Sequence, residues 1–205
     1  ASYPSLSGKN ILITGGASGI GKEIVKGFAE QGANVAFLDL NDEAGERLSS
    51  DIGENVFFKK CDLKEVKNLK SSIEKLRAQI GLFDVLVNNA AHDDRHNWKE
   101  VTEDYWDDRF ATNLRHQFFT IQSVAEDMIQ KGGGSIVNIG SNSWMEAVGN
   151  FPAYATAKSA VHGLTRTLAR DLGKHRIRVN TVVPGWIMTD RQKELWVTPE
   201  GLENQ

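Results

Sequence analysis

The chain has 205 residues, a formal net charge of −3 and 40% hydrophobic residues, enough for one domain with a substantial core and without the basic excess of a nucleic-acid binder. Its single cysteine, Cys61, excludes an intramolecular disulfide framework and suits a reducing compartment. No apolar run approaches the ~20 residues of a membrane span, and no charged N-terminal region precedes a signal core, so the cytoplasm is the expected location.

The first predicted element is a strand at about 10–14, Asn10-Ile-Leu-Ile-Thr14, which passes into Gly15-Gly-Ala-Ser-Gly-Ile-Gly21 and a helical pattern at about 19–31. Gly15, Gly19 and Gly21, with Ser18 and Ile20 between them, let the backbone turn sharply and approach a pyrophosphate at the positive end of that helix. The spacing is Gly-x-x-x-Gly-x-Gly rather than Gly-x-Gly-x-x-Gly, so the mechanism carries over while the pattern match does not. A second strand at about 34–38 ends in Asp39, placed where an acid would meet the ribose hydroxyls of a dinucleotide. Asp39 could instead cap the next helix at about 42–51; the glycine loop before it favours the ribose reading. A carboxylate there repels a 2′-phosphate, and neither Ser18 nor Leu40 supplies a compensating cation, so NAD is expected over NADP.

Further strands are predicted at about 55–60, 83–88, 134–140 and 177–183, alternating with helices at about 64–80, 103–131 and 153–173. That alternation predicts an α/β fold, a doubly wound parallel sheet with strand order 3-2-1-4-5-6. Gly132-Gly-Gly134 stops the long helix, and with no repeat or linker residues 1–205 read as a single domain.

The chemistry concentrates in Tyr154-Ala-Thr-Ala-Lys158 and in Ser141, thirteen residues before the tyrosine. Residues i and i+4 share a helix face, so the Lys158 ammonium stands beside the Tyr154 phenol. A cation at ~6 Å with an effective dielectric of ~20 favours phenolate by roughly 3 kcal/mol, about two pK units, which moves the phenol toward the range of a general base.

These residues resemble the short-chain dehydrogenase/reductase family over nearly the whole chain. The resemblance rests on Thr14-Gly-Gly-Ala-Ser-Gly-Ile-Gly21, Cys61-Asp62-Leu63, Asn88-Asn-Ala-Ala91, Asn113, Ser141, Tyr154, Lys158, and Pro184-Gly185 with Thr189. It implies that Tyr154 is the acid/base, that Lys158 holds the nicotinamide ribose and lowers the tyrosine pKa, that Ser141 polarises the substrate oxygen, and that Asn113 helps hold a proton-relay water. Asn89, Ala90, Ala91 and Ile187 join the implied cofactor site, with alanine at 91 where the family usually has glycine. It also implies a homotetramer whose main two-fold interface uses the helices at about 103–131 and 153–173. Family members usually continue past the Pro-Gly segment into a seventh strand, whereas this sequence ends at Gln205, so a longer parent protein is expected.

The segments expected to rim the substrate pocket are polar: His92, Asp93, Asp94, Arg95 and His96 after the fourth strand, and Asn142, Ser143, Trp144, Glu146 and Asn150 after the fifth. Such a rim suits a polyhydroxylated ligand, with Trp144 or Trp186 offering an aromatic face, better than a steroid or acyl chain. Asp93, Ser143, Trp144, Asn150 and Trp186 are therefore expected to touch substrate beside Ser141 and Tyr154. His92, Asp93, Asp94 and His96 lack a matched distant ligand set, so no metal is expected. Tyr3-Pro-Ser-Leu-Ser-Gly8, Asp93-Asp-Arg-His96, Asn113-Leu-Arg-His116 and Thr198-Pro-Glu-Gly201 look like bacterial aldose 1-dehydrogenases, pentose dehydrogenases especially, which oxidise the anomeric hydroxyl to a lactone. A reductase of another carbonyl compound and a non-catalytic nucleotide sensor are the alternatives; the intact Ser141, Tyr154, Lys158 and Asn113 weigh against the sensor.

Overall fold

The computed structural model describes residues 1–197. Six strands, β1 (Asn10–Thr14), β2 (Asn34–Asp39), β3 (Val56–Lys60), β4 (Val85–Asn88), β5 (Gly134–Ile139) and β6 (Ile177–Val182), pair in parallel in the order β3-β2-β1-β4-β5-β6 that the alternation of elements predicts. The central strand β1 is buried at every residue, as a strand covered on both faces must be. Helices α3 (Val66–Ile80), α5 (His116–Gln130) and α6 (Pro152–Gly173) cover one face, where Leu69, Ile73, Leu76, Val124 and Met128 pack on Leu12, Leu86 and Ile136. Helices α1 (Gly19–Glu30) and α2 (Asp42–Ile52) cover the other through Val25 and Leu48 against Ile13, Val35 and Phe37. Each fully buried side chain of this size contributes about 1.5–3 kcal/mol. The outermost strand β6 alternates, with Ile177 and Val179 buried and Arg178 and Asn180 exposed.

The strand order reverses between β1 and β4, whose last residues, Thr14 and Asn88, are register partners. A crevice outside the carboxyl ends of those strands is the expected ligand site in such a sheet. The opposite end is tied shut. Asp84, just before β4, accepts from the Asn10 backbone N–H at 2.9 Å, Lys131 at 2.7 Å and Lys9 at 3.2 Å. Burial alone would raise its carboxyl pKa, but these bonds outweigh it and hold the group below the ordinary range.

Two elements differ from expectation. The helix predicted over 103–131 is interrupted: α4 (Glu103–Phe110) and α5 are joined by a π-helical turn, Ala111–Arg115. Asn113 Nδ2 takes the carbonyl of Arg109 at 2.9 Å, the acceptor that its own backbone N–H would use in a regular α-helix. A short helix, α7 (Asp190–Leu195), follows the Pro-Gly segment, and Thr189 caps it by accepting from Gln192 N at 3.3 Å. Thr189-Asp190 is the sequence signal that would have located it.

Candidate active site

A cleft of 1840 Å³ opens at the carboxyl end of the sheet. That exceeds the ~300–1,000 Å³ of a single small-ligand pocket and leaves room for a dinucleotide beside a substrate. Every expected cofactor residue lines it: Gly15, Ser18, Gly19, Ile20, Gly21, Asp39, Leu40, Cys61, Asp62, Leu63, Asn89, Ala90, Ala91, Tyr154, Lys158, Pro184, Gly185, Ile187 and Thr189.

The cradle is built from absent side chains. Gly15 adopts φ +69°, and a Cβ there would stand 2.7 Å from the Ala90 Cα; a Cβ on Gly21 would stand 1.8 Å from the Gly15 carbonyl oxygen. Asn89 fixes the loop from the β4 side, donating to the carbonyls of Thr14 at 3.1 Å and Gly15 at 2.9 Å, while the Thr14 hydroxyl accepts from the N–H groups of Asn89 and Ala90. Ser18, the residue that starts α1, makes no side-chain cap, so the first-turn N–H groups face the cleft without a side-chain acceptor. Asp39 at the end of β2 accepts from Ala17 N and Asn41 N, both at 2.9 Å. The cap of α2 is Asn41, which accepts from Ala44 N at 3.0 Å, so Asp39 is not that cap. These residues fit a nicotinamide dinucleotide: a glycine cradle and helix terminus suit a pyrophosphate, and an acid stands where a ribose would lie.

Across the switch in strand order, β5 and α6 bring the catalytic candidates together. Lys158 is 1% exposed and donates to the Ile139 carbonyl at 2.7 Å, with Nζ 5.8 Å from the centre of the Tyr154 ring. Burial depresses its pKa to about 8. Burial also pushes Tyr154 up to about 12, although Ser141 faces the phenol and works in the opposite direction. In the protein alone the phenol therefore lies above its ordinary range, because desolvation exceeds the opposing effects of Ser141, Arg95 and Arg191. Ser141 Oγ donates to Ser143 Oγ at 2.9 Å and accepts from the Ser143 backbone N–H at 3.2 Å.

Asn113 does not line the cleft. Its carboxamide grips the backbone of His92, accepting from N–H at 2.8 Å and donating to the carbonyl at 3.2 Å, much as a neighbouring strand would. Of the expected substrate residues, Asp93, Ser141, Ser143, Asn150, Tyr154 and Trp186 line the cleft. Trp144 lies apart from it, edge-on to His162 with ring centres 5.1 Å apart. Asp93 is already engaged by Arg191, by Gln192 Nε2 at 2.7 Å and, through Gln192 Oε1, by Trp186 Nε1 at 2.9 Å. Burial opposes its charge, but those bonds hold its carboxyl below the ordinary range. His96 ties the same loop to α6, accepting from Ala153 N at 3.2 Å. Arg191 and Gln192 are not legible as site residues in the sequence because their partner Asp93 lies 98 and 99 positions away in the chain. The segment Thr198–Gly201 lies outside the described residues.

The family model described as short chain dehydrogenase matches residues 9–200. A D-xylose 1-dehydrogenase of Caulobacter vibrioides is 48% identical over 98% of this chain and 80% of its own length. A probable galactose dehydrogenase of Rhizobium meliloti is 44% identical with the same coverage. Among solved structures, the 3-ketoacyl-(acyl-carrier-protein) reductase from Brucella melitensis, complexed with NADH, superposes with a TM-score of 0.86 at 26% identity, over 90% of this chain and 78% of that one.

Proposed function

The chain belongs to the short-chain dehydrogenase family, oxidoreductases acting on CH–OH groups, and from that premise we propose that it is an NAD-dependent aldose 1-dehydrogenase giving a lactone. The observation that carries the reading is the meeting, in one cleft, of Ser141, Tyr154 and Lys158 with a glycine cradle on one side and a polar loop on the other. Two sugar dehydrogenases at 48% and 44% identity support the substrate class. NAD is preferred to NADP because Asp39 stands at the ribose end with neither Ser18 nor Leu40 able to neutralise a 2′-phosphate.

The bound nicotinamide would take up the hydride. Ser141 and Tyr154 hydrogen-bond the substrate hydroxyl, and Tyr154 takes its proton as the C–H bond breaks only as the phenolate, the form that the cation of Lys158 favours. Ser143 orients Ser141. Lys158 supplies the cation beside the phenol and holds the ribose. Asn113 acts at one remove, by fixing the backbone of His92 at the mouth of the cleft. The reading extends to one domain over residues 1–205 in a cytoplasmic homotetramer. Exposed Trp106 on α4 and Phe118 on α5 suit such an interface.

The test is a panel of aldoses, polyols, hydroxy acids and steroids with NAD and with NADP, followed by cofactor absorbance. D-xylose, L-arabinose, D-galactose or L-fucose should yield NADH and a slowly hydrolysing lactone, and sugar alcohols should react poorly. Efficient oxidation of a steroid or apolar alcohol with no activity on any aldose would replace the sugar reading with that of a dehydrogenase of another alcohol.

A further inference from the structure

Arg95 stands out in the loop after β4. Asp93 is paired with Arg191, Asp94 with Arg109 and Arg191, and Asp108 with Lys64 and Arg109, whereas the Arg95 guanidinium makes no ion pair or hydrogen bond among the described residues. It is nonetheless held in place. Its central carbon lies 4.0 Å from the centre of the Phe151 ring and 5.3 Å from that of Trp196. The Phe151 ring centre is in turn 5.4 Å from that of Tyr154, and Arg95, Phe151, Trp196 and Tyr154 all line the cleft.

A guanidinium stacked on aromatic rings has its flat faces engaged and its N–H edge left for acceptors. Five N–H groups in a fixed fork match two adjacent hydroxyl oxygens of a sugar ring better than any single-point donor. The favourable contact also raises little ordering penalty, because the stack already limits the side chain.

We propose that Arg95 is a specificity-determining residue that binds two neighbouring ring hydroxyls of the aldose and so sets which sugar is presented to Tyr154. This rests on the aldose dehydrogenase reading above. The competing role is mechanical: Arg95 as a clip between the loop, α6 and α7, with no contact to substrate.

The experiment compares wild type, Arg95→Met and Arg95→Lys on D-xylose and its monodeoxy analogues, with NAD binding measured by calorimetry. Arg95→Met should raise the KM for D-xylose at least about tenfold while kcat falls by less than about threefold and the NAD Kd is unchanged. Arg95→Lys, which keeps the charge and loses the fork, should fall between the two and guards against misfolding of the first variant. On the deoxy analogue that lacks a bonded hydroxyl, the penalty of Arg95→Met should largely disappear, an outcome a mere clip would not produce. An equal penalty on every analogue, or an unchanged KM, overturns the proposal while leaving the aldose reading intact. A wild-type enzyme that oxidises no aldose overturns both.

Discussion

The two sides of the cleft are built on opposite principles. On the β1–β2 side, recognition comes from backbone: glycines without Cβ atoms, the free N–H groups that start α1, and one acid already anchored by two backbone donors. On the β4–β6 side it comes from ionisable side chains taken out of water, with Lys158 1% exposed and Tyr154 pushed up to about 12. The first arrangement tolerates no added atom. The second tolerates no change of charge or proton inventory, and it lowers the stability of the folded chain to be ready for its reaction.

Tyr154→Phe should separate the two sides most sharply. It removes the transferable proton and keeps the ring against Phe151, so kcat should fall by about a thousandfold or more with the NAD Kd nearly unchanged by calorimetry. Near wild-type turnover would remove Tyr154 from the centre of the reaction. Gly21→Ala should do the reverse, since its Cβ would strike the Gly15 carbonyl oxygen; NAD affinity should drop about a hundredfold, and refolding equilibria should register about 1–3 kcal/mol of overpacking.

Lys158→Met tests the burial of charge. The folded pKa of about 8 lies below the ordinary 10.5, so between those values the unfolded chain binds more protons and wild-type stability must rise with pH. Below pH 8 both states carry the proton and the folded state bears the desolvation penalty. At pH 7 the variant should therefore be more stable by about 2 kcal/mol, after allowing for the lost bond to Ile139, while losing activity. Denaturant titrations at pH 7, 8, 9 and 10 should give wild type a rising stability that the variant lacks; parallel curves would contradict it.

Asp39→Ser should lower the NAD/NADP ratio of kcat/KM by at least about tenfold, through lost ribose bonds and relieved repulsion. An unchanged ratio would show that the acid does not reach the ribose. The smallest effect is expected at Gly27, in the same helix as Gly21 but with nothing within 4 Å of an added methyl. Gly27→Ala should stabilise by about 0.5–1 kcal/mol and leave NAD binding alone. If it damaged binding, the contrast between the two glycines would fail.

The same division explains what can be read from the sequence. The glycine loop, the acid ending β2, and Tyr154 with Lys158 are signals whose parts lie within a few residues of one another, fixed by local turn and helix geometry. The strand order follows from alternation and handedness. By contrast, Arg191 meets Asp93 across 98 positions, and Lys64 meets Asp108 across 44, distances over which composition carries no register. Trp144 departs from its expected place at the substrate for a related reason. Its segment turns through left-handed backbone at Ala147 and Asn150, which no local pattern announces, and the indole is carried onto α6. The interruption of the long helix is hidden because Asn113 acts there through its side chain, while hydrophobic periodicity reports only the outward face.

That interruption gives the helix a change of phase. A regular α-helix advances about 100° per residue, so two stretches joined without a break must point their faces in a fixed relation. The wider turn at Ala111–Arg115 accommodates an extra residue, and so α4 is oriented by the loop at His92 while α5 is oriented by the sheet. Deleting Leu114 would close the joint into ordinary helix and force the two clocks to agree; whichever lost, either the mouth of the cleft or the core beneath it would rotate out of step.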